Sequence, residues 1–264
     1  PLAVAGYLIF AAMVCDGLDG RLARLTRQPS EFGGQLDSLA DVVSFGVAPA
    51  ALMVTLLTRH LSSDQIATPL TSDWLGRAVW LSAAVYLACT ALRLARFNVE
   101  NRPDPEVHMS FKGLPSPGAA GVLASLVILH EHLYYLTSGP AGAQVPGWVP
   151  AVSEGLLRAM PWVALTLAIL MVSNIRYIHF VNTYLRGRRP FRHVVRLVII
   201  LIIGVYYPEL VLAVLVCGYA ASGPVSLAVR RIRANAGRPD RTTRNLRQDR
   251  PAPPAQPPRT AERH

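Results

Sequence analysis

The sequence is short of charge and nearly without lysine. Only 16% of its 264 residues are Asp, Glu, Lys or Arg, against about 25% in soluble domains. That deficit excludes an ordinary water-exposed globule. The hydrophobic share of 52% excludes a chain too polar to bury a core. Lysine is confined to Lys112, so arginine carries the formal net charge of +10. A basic balance of this size could suit nucleic acid, but the body is too apolar, and no nucleic-acid partner is expected. Arginine-rich edges on an apolar body suit anionic lipid headgroups instead. Cysteine is scarce too. Cys15, Cys89 and Cys217 lie far apart in apolar runs, without metal-ligand spacing, and are expected to be buried reduced thiols. The chain begins at Pro1, inside an apolar stretch with no visible signal peptide, so a further segment is expected upstream.

What is present is a series of apolar runs. A membrane-spanning helix needs about 20 mainly apolar residues. Runs at 2–22, 34–57, 77–92, 113–136 and 158–172 qualify once their flanks are counted. A sixth apolar region, 193–229, is broken at Tyr207-Pro208-Glu209. Arginine placement separates one kinked helix from two short ones. Alternate connections hold 23 basic residues against 3, provided that this last region crosses twice. The basic set includes Arg21, Arg24 and Arg27, then Arg93, Arg96, Arg102 and Lys112, then a cluster from Arg176 to Arg196, then the tail. Basic loops stay on the cytoplasmic side. The expectation is therefore an all-α, polytopic transmembrane bundle in the cell membrane, with seven spans and an apolar hairpin over 193–229. The basic, proline-rich tail over 230–264 cannot bury enough to fold. Trp74, Trp80, Trp148 and Trp162 are expected near outer span ends as an aromatic belt. His108, His130 and His132 are read as interfacial, and Glu131 as solvated.

The anomaly is a group of acids where lipid is expected. Asp16 and Asp19 close the first span; Asp37 and Asp41 open the second. Spacings of i, i+3 and i, i+4 put each pair on one helix face. An arginine-rich turn between them returns the chain antiparallel, so four carboxylates would converge. Intramembrane acids are costly and usually mark function. Four ionised carboxylates in one pocket need protons or cations, and hard oxygens suit Mg²⁺, Mn²⁺ or Ca²⁺. Four aspartates suffice for two ions, and a pair of ions suits phosphoryl chemistry. Gly20, Ala23, Gly33 and Gly34 allow close approach of a ligand or a helix, and Arg24 and Arg27 could hold phosphate.

These residues form a pattern. Asp16-Gly-Leu-Asp19-Gly20-Arg-Leu-Ala23-Arg24, then eight residues, Gly33, three residues, Asp37, three residues and Asp41 resembles the signature of the CDP-alcohol phosphatidyltransferase family. Arg93-Leu-Ala-Arg96-Phe97-Asn98, Phe111-Lys112-Gly113-Leu114-Pro115-Ser116-Pro117 and Asn174-Ile-Arg176-Tyr177 resemble the phosphatidylserine synthase branch. Members normally carry another helix before the first Asp pair, so an N-terminal helix is expected to be missing here. The resemblance implies a core over 1–192. It implies divalent metal, a pair of Mg²⁺ or Mn²⁺ ions, at Asp16, Asp19, Asp37 and Asp41, with Asp41 also the proton acceptor. It implies CDP-diacylglycerol contacts from Gly20, Ala23, Arg24, Ser30 and Gly33. It implies L-serine as acceptor, CMP and phosphatidylserine as products, a homodimer, and a site facing the cytoplasm. A serine zwitterion needs charged and polar partners, and Arg93, Arg96 and Asn98 are the candidates in the second basic connection. Glycerol 3-phosphate or inositol phosphate is the alternative acceptor. A divalent-cation transporter is the non-enzymatic rival, although the acids cluster at one face and no repeat is visible. An intramembrane aspartyl protease would leave half of the acids unexplained.

Overall fold

The computed structural model describes residues 1–26, 31–61, 74–100, 113–138, 146–175, 177 and 202–236. All regular structure among them is helical. The helices are α1 (Leu2–Thr26), α2 (Glu31–Val42), a π-helical turn (Val43–Val47), α3 (Ala48–His60), α4 (Trp74–Glu100), α5 (Ser116–Ser138), α6 (Trp148–Val172) and α7 (Pro208–Ala236). Among the described residues, six helical stretches are long and apolar enough to cross a membrane, α2 and α3 counting as one. Two compact units are distinguished, 1–224 and 225–264. The described part of the second is the helical stretch 225–236.

Within the first unit α5 is the central helix. It packs against α1, α3 and α6, and 67% of its apolar window is buried. Its sequence explains this. Gly118, Ala119, Ala120, Gly121 and Ala124 let neighbours approach to backbone distance. A Cβ added at Gly121 would stand 3.1 Å from Val216 and 3.2 Å from Met13. From α1, Gly6 makes the same close approach to Ile128 and the Ala124 carbonyl. Leu8, Val14, Leu81 and Ile169 are exposed outward, as side chains that meet hydrocarbon should be.

Two prolines shape the helices by the same means. In a regular helix Pro49 would bond to the Phe45 carbonyl, but proline has no N–H and its ring crowds that oxygen. The chain widens there: the Ala48 N–H donates to Val43 O, one residue further back than in an α-helix. The freed Phe45 carbonyl accepts a 3.0 Å hydrogen bond from the Tyr86 hydroxyl of α4. Tyr86 is fully buried, so the pair locks the α2–α3 rod onto α4 one turn past Asp41. Pro224 repeats the device in α7. Its i−4 carbonyl, Ala220 O, accepts from the Tyr177 hydroxyl at 3.1 Å. Burial and neighbouring Tyr219 push the Tyr177 phenol up to about 12, which keeps the donor proton in place.

Several expectations change. The run placed at 158–172 begins at Trp148. Pro150 falls in the first turn, where its missing N–H has no helical partner to lose. Arg158 is therefore a helical residue, bonded to Glu154 at 2.6 Å. Trp162 lies in the middle of that helix and not at a span end, and Trp80 packs against the core. Cys15 is exposed, whereas Cys89 and Cys217 are partly buried, and all three are free thiols. An apolar thiol loses nothing by facing hydrocarbon. Of the hairpin, 193–201 lies outside the described residues. Helix 202–206 stops at Tyr207 and α7 starts at Pro208. The tail beyond 236, with His108, Lys112 and Arg176, also lies outside them.

Candidate active site

Asp16 and Asp19 stand on α1, and Asp37 and Asp41 on α2. Asp16 and Asp41 are half-buried; Asp19 and Asp37 are exposed. The two helices bring the acids into one electrostatic neighbourhood. Asp16 faces Asp37 and Asp19, and Asp41 faces Asp16, Asp37 and the guanidinium of Arg93. The neighbourhood is loose. No three of these carboxylates have oxygens within 4.8 Å of one another; among the described residues only His60, His130 and Glu131 form such a group. The donor set itself fits a hard divalent cation. All of its ligand atoms are carboxylate oxygens, Asp16 and Asp41 are half-buried, and Asp16 has like charges beside it at Asp37 and Asp19.

The proposed serine contacts arrive from α4. They were expected in a connection but lie in the last turns of the helix, which runs on to Glu100. Arg93 donates from Nη1 to Ser116 Oγ at 3.1 Å, and its buried Nε has no hydrogen-bond partner. Arg96 donates from Nη2 to Asn174 Oδ1 at 3.1 Å. Asn98 donates from Nδ2 to Ser38 Oγ at 3.0 Å, and Ser38 in turn donates to the Gly34 carbonyl. Arg93 and Asn98 thus meet the aspartate end, Asn98 directly on the helix that carries Asp37 and Asp41, whereas Arg96 reaches Asn174 just past α6. Gly33 lies in α2's first turn. Gly20, Ala23 and Arg24 lie on α1, with side chains outside the described residues, and Ser30 lies outside them altogether.

The remaining motif segments buttress this end. Gly113 has φ +88°, and a Cβ there would collide with the Met171 carbonyl. Only glycine adopts that conformation at low cost. Its N–H donates to Ile175 O at 2.8 Å, and Leu114 N–H to Leu170 O at 3.0 Å. These bonds tie the start of α5 to the end of α6 and set Ser116 under Arg93. Tyr219 of α7 stands beside Arg93 and against Gly118.

A model of the CDP-alcohol phosphatidyltransferase family matches residues 2–170. The chain belongs to the CDP-alcohol phosphatidyltransferase family. Relatives named CDP-diacylglycerol–serine O-phosphatidyltransferase include one from Helicobacter pylori (strain J99), 37% identical over 178 residues, which are 67% of this chain and 61% of that protein. Another, from Methanocaldococcus jannaschii, is 31% identical over 175 residues, 66% of this chain and 64% of that one. The yeast Saccharomyces cerevisiae protein is 38% identical over 118 residues, 43% and 37% of the two chains. The match spans less than two thirds of each relative's length. No solved structure matches. The family match covers both acid pairs and the α4 arginines; it ends before Asn174 and Tyr177.

The expectation for His130 and Glu131 was wrong. His130 is not interfacial: it is 2% exposed and packs against His60, ring centroids 4.8 Å apart. Glu131 is part-buried, its Oε1 3.4 Å from His60 Nε2. His130 and Glu131 lie 70 and 71 residues beyond His60 in the chain, so no local spacing could have announced them.

Proposed function

We propose that this chain is a membrane phosphatidyltransferase that converts CDP-diacylglycerol and L-serine into phosphatidylserine and CMP. The observation that carries the reading is the meeting of Asp16, Asp37 and Asp41 at one end of the bundle, with Arg93 beside Asp41. Asp16, Asp19, Asp37 and Asp41 would hold divalent metal, Mg²⁺ or Mn²⁺. When bound, such ions supply charge stabilisation to phosphate oxygens. Asp41 accepts the proton of the serine hydroxyl. The serine oxygen forms its bond to the lipid-side phosphorus as the bond from that phosphorus to CMP breaks. Arg93 keeps an unpaired buried Nε donor beside Asp41, suited to the serine carboxylate, and Asn98 and Arg96 line the same side. Gly20, Ala23, Arg24, Ser30 and Gly33 serve the nucleotide and its phosphates. The aspartate end faces the cytoplasm, where arginine-rich connections belong, and two copies of the chain associate.

The deciding experiment offers purified full-length protein CDP-diacylglycerol with serine, glycerol 3-phosphate or inositol phosphate in turn and follows CMP release. Serine alone should support turnover. Turnover with glycerol 3-phosphate and not serine would overturn the acceptor assignment; metal flux into proteoliposomes without CMP would overturn the enzyme.

A further inference from the structure

α3 ends in His60, and α5 carries His130 and Glu131 two turns before its own end. One nitrogen of each histidine and one Glu131 oxygen lie within 4.8 Å of one another. The 3.4 Å between His60 Nε2 and Glu131 Oε1 is close to the edge of a tetrahedron with ligand bonds of about 2.0–2.1 Å. His130 is 2% exposed, and its Nδ1 has no hydrogen-bond partner. Buried polar nitrogens are rarely left so. Beside the group lies a cavity of about 530 Å³ lined by Glu131, His132, Tyr134 and Glu209. Its rim is polar: His132 Nδ1 stands 3.7 Å from Glu209, and the Tyr7 hydroxyl lies beside the same carboxylate.

We propose that His60, His130 and Glu131 bind one nitrogen-preferring divalent ion of the Zn²⁺ class. The ion enters from the adjoining cavity and ties α3 to α5. Two imidazoles and a carboxylate suit Zn²⁺ and disfavour Mg²⁺, so the site draws on a different pool of ions from the all-oxygen aspartates. Three protein ligands leave a fourth position for water. This site stands whether or not the acceptor assignment does.

The test uses the full chain in detergent with excess Mg²⁺, titrated with Co²⁺ and then Zn²⁺. One equivalent of Co²⁺ should give the visible absorption of a four-coordinate site, Zn²⁺ should displace it, and thermal unfolding should move upward. Glu131→Gln and His130→Gln should weaken Zn²⁺ binding at least about tenfold, whereas Asp41→Asn keeps the bands. If His130→Gln does not fold, His60→Gln at the end of α3 gives the same reading. Absence of bands at stoichiometric Co²⁺ would overturn the site and leave an ordinary His–Glu hydrogen bond. So would bands that vanish with Asp41→Asn but survive His60→Gln.

Discussion

At one end of the bundle, four aspartates from α1 and α2 face one another loosely, two of them exposed. At the other, two histidines and a glutamate from α3 and α5 converge within 4.8 Å, one of them buried. The aspartate end has the strongest motif in the sequence and the wider geometry. The histidine end has no motif and the tighter cluster. The contrast follows from what each end does. A site for a lipid-linked nucleotide must stay open, and its acids repel one another until cations arrive. A site that clamps two packed helices is assembled by their packing alone.

The sharpest way to break this comparison is to remove charge at one end and ask whether the other responds. Asp41→Asn should lower CMP release by about 10²–10⁴-fold, the range of a lost general base. Glu131→Gln should leave CMP release unchanged while altering Zn²⁺ binding. Equal losses in both variants would mean that the ends work as one unit.

A smaller effect is expected from the frame that holds the aspartate end. Gly113→Ala forces a side chain into a left-handed conformation against the Met171 carbonyl, at about 1–3 kcal/mol. Detergent unfolding should show that loss, with reduced turnover because Ser116 and Arg93 move with α5. No shift in unfolding would show that α5 and α6 are joined elsewhere.

The smallest effect, and the most informative about packing, concerns Tyr86. Tyr86→Phe leaves the Phe45 carbonyl buried and unpaired, at about 1–3 kcal/mol. In a Pro49→Ala background the helix can bond that carbonyl itself, so the same change should cost much less. A double-mutant cycle on unfolding reads the difference; additive effects would refute the linkage.

Much of the bundle was legible in the sequence because a bilayer demands long apolar runs. The acid pairs were legible because i, i+3 and i, i+4 spacing is local. What was hidden depends on partners far apart in the chain. Pro49 reads as a helix disturbance, but nothing near it announces that Tyr86, 41 residues beyond Phe45, receives the freed oxygen. His60 and Glu131 are separated by 71 residues. The start of α6 was misread because glycine and proline before Trp148 look like an irregular loop, although a proline in a first turn is harmless.

The paired prolines have one more consequence. Each makes a rod that cannot be swapped for a plain helix without orphaning a hydroxyl on its neighbour. Asp41 and Tyr219, on the two rods so fastened, therefore inherit their bearing toward Arg93 from a phenol and an imino acid that never meet a substrate.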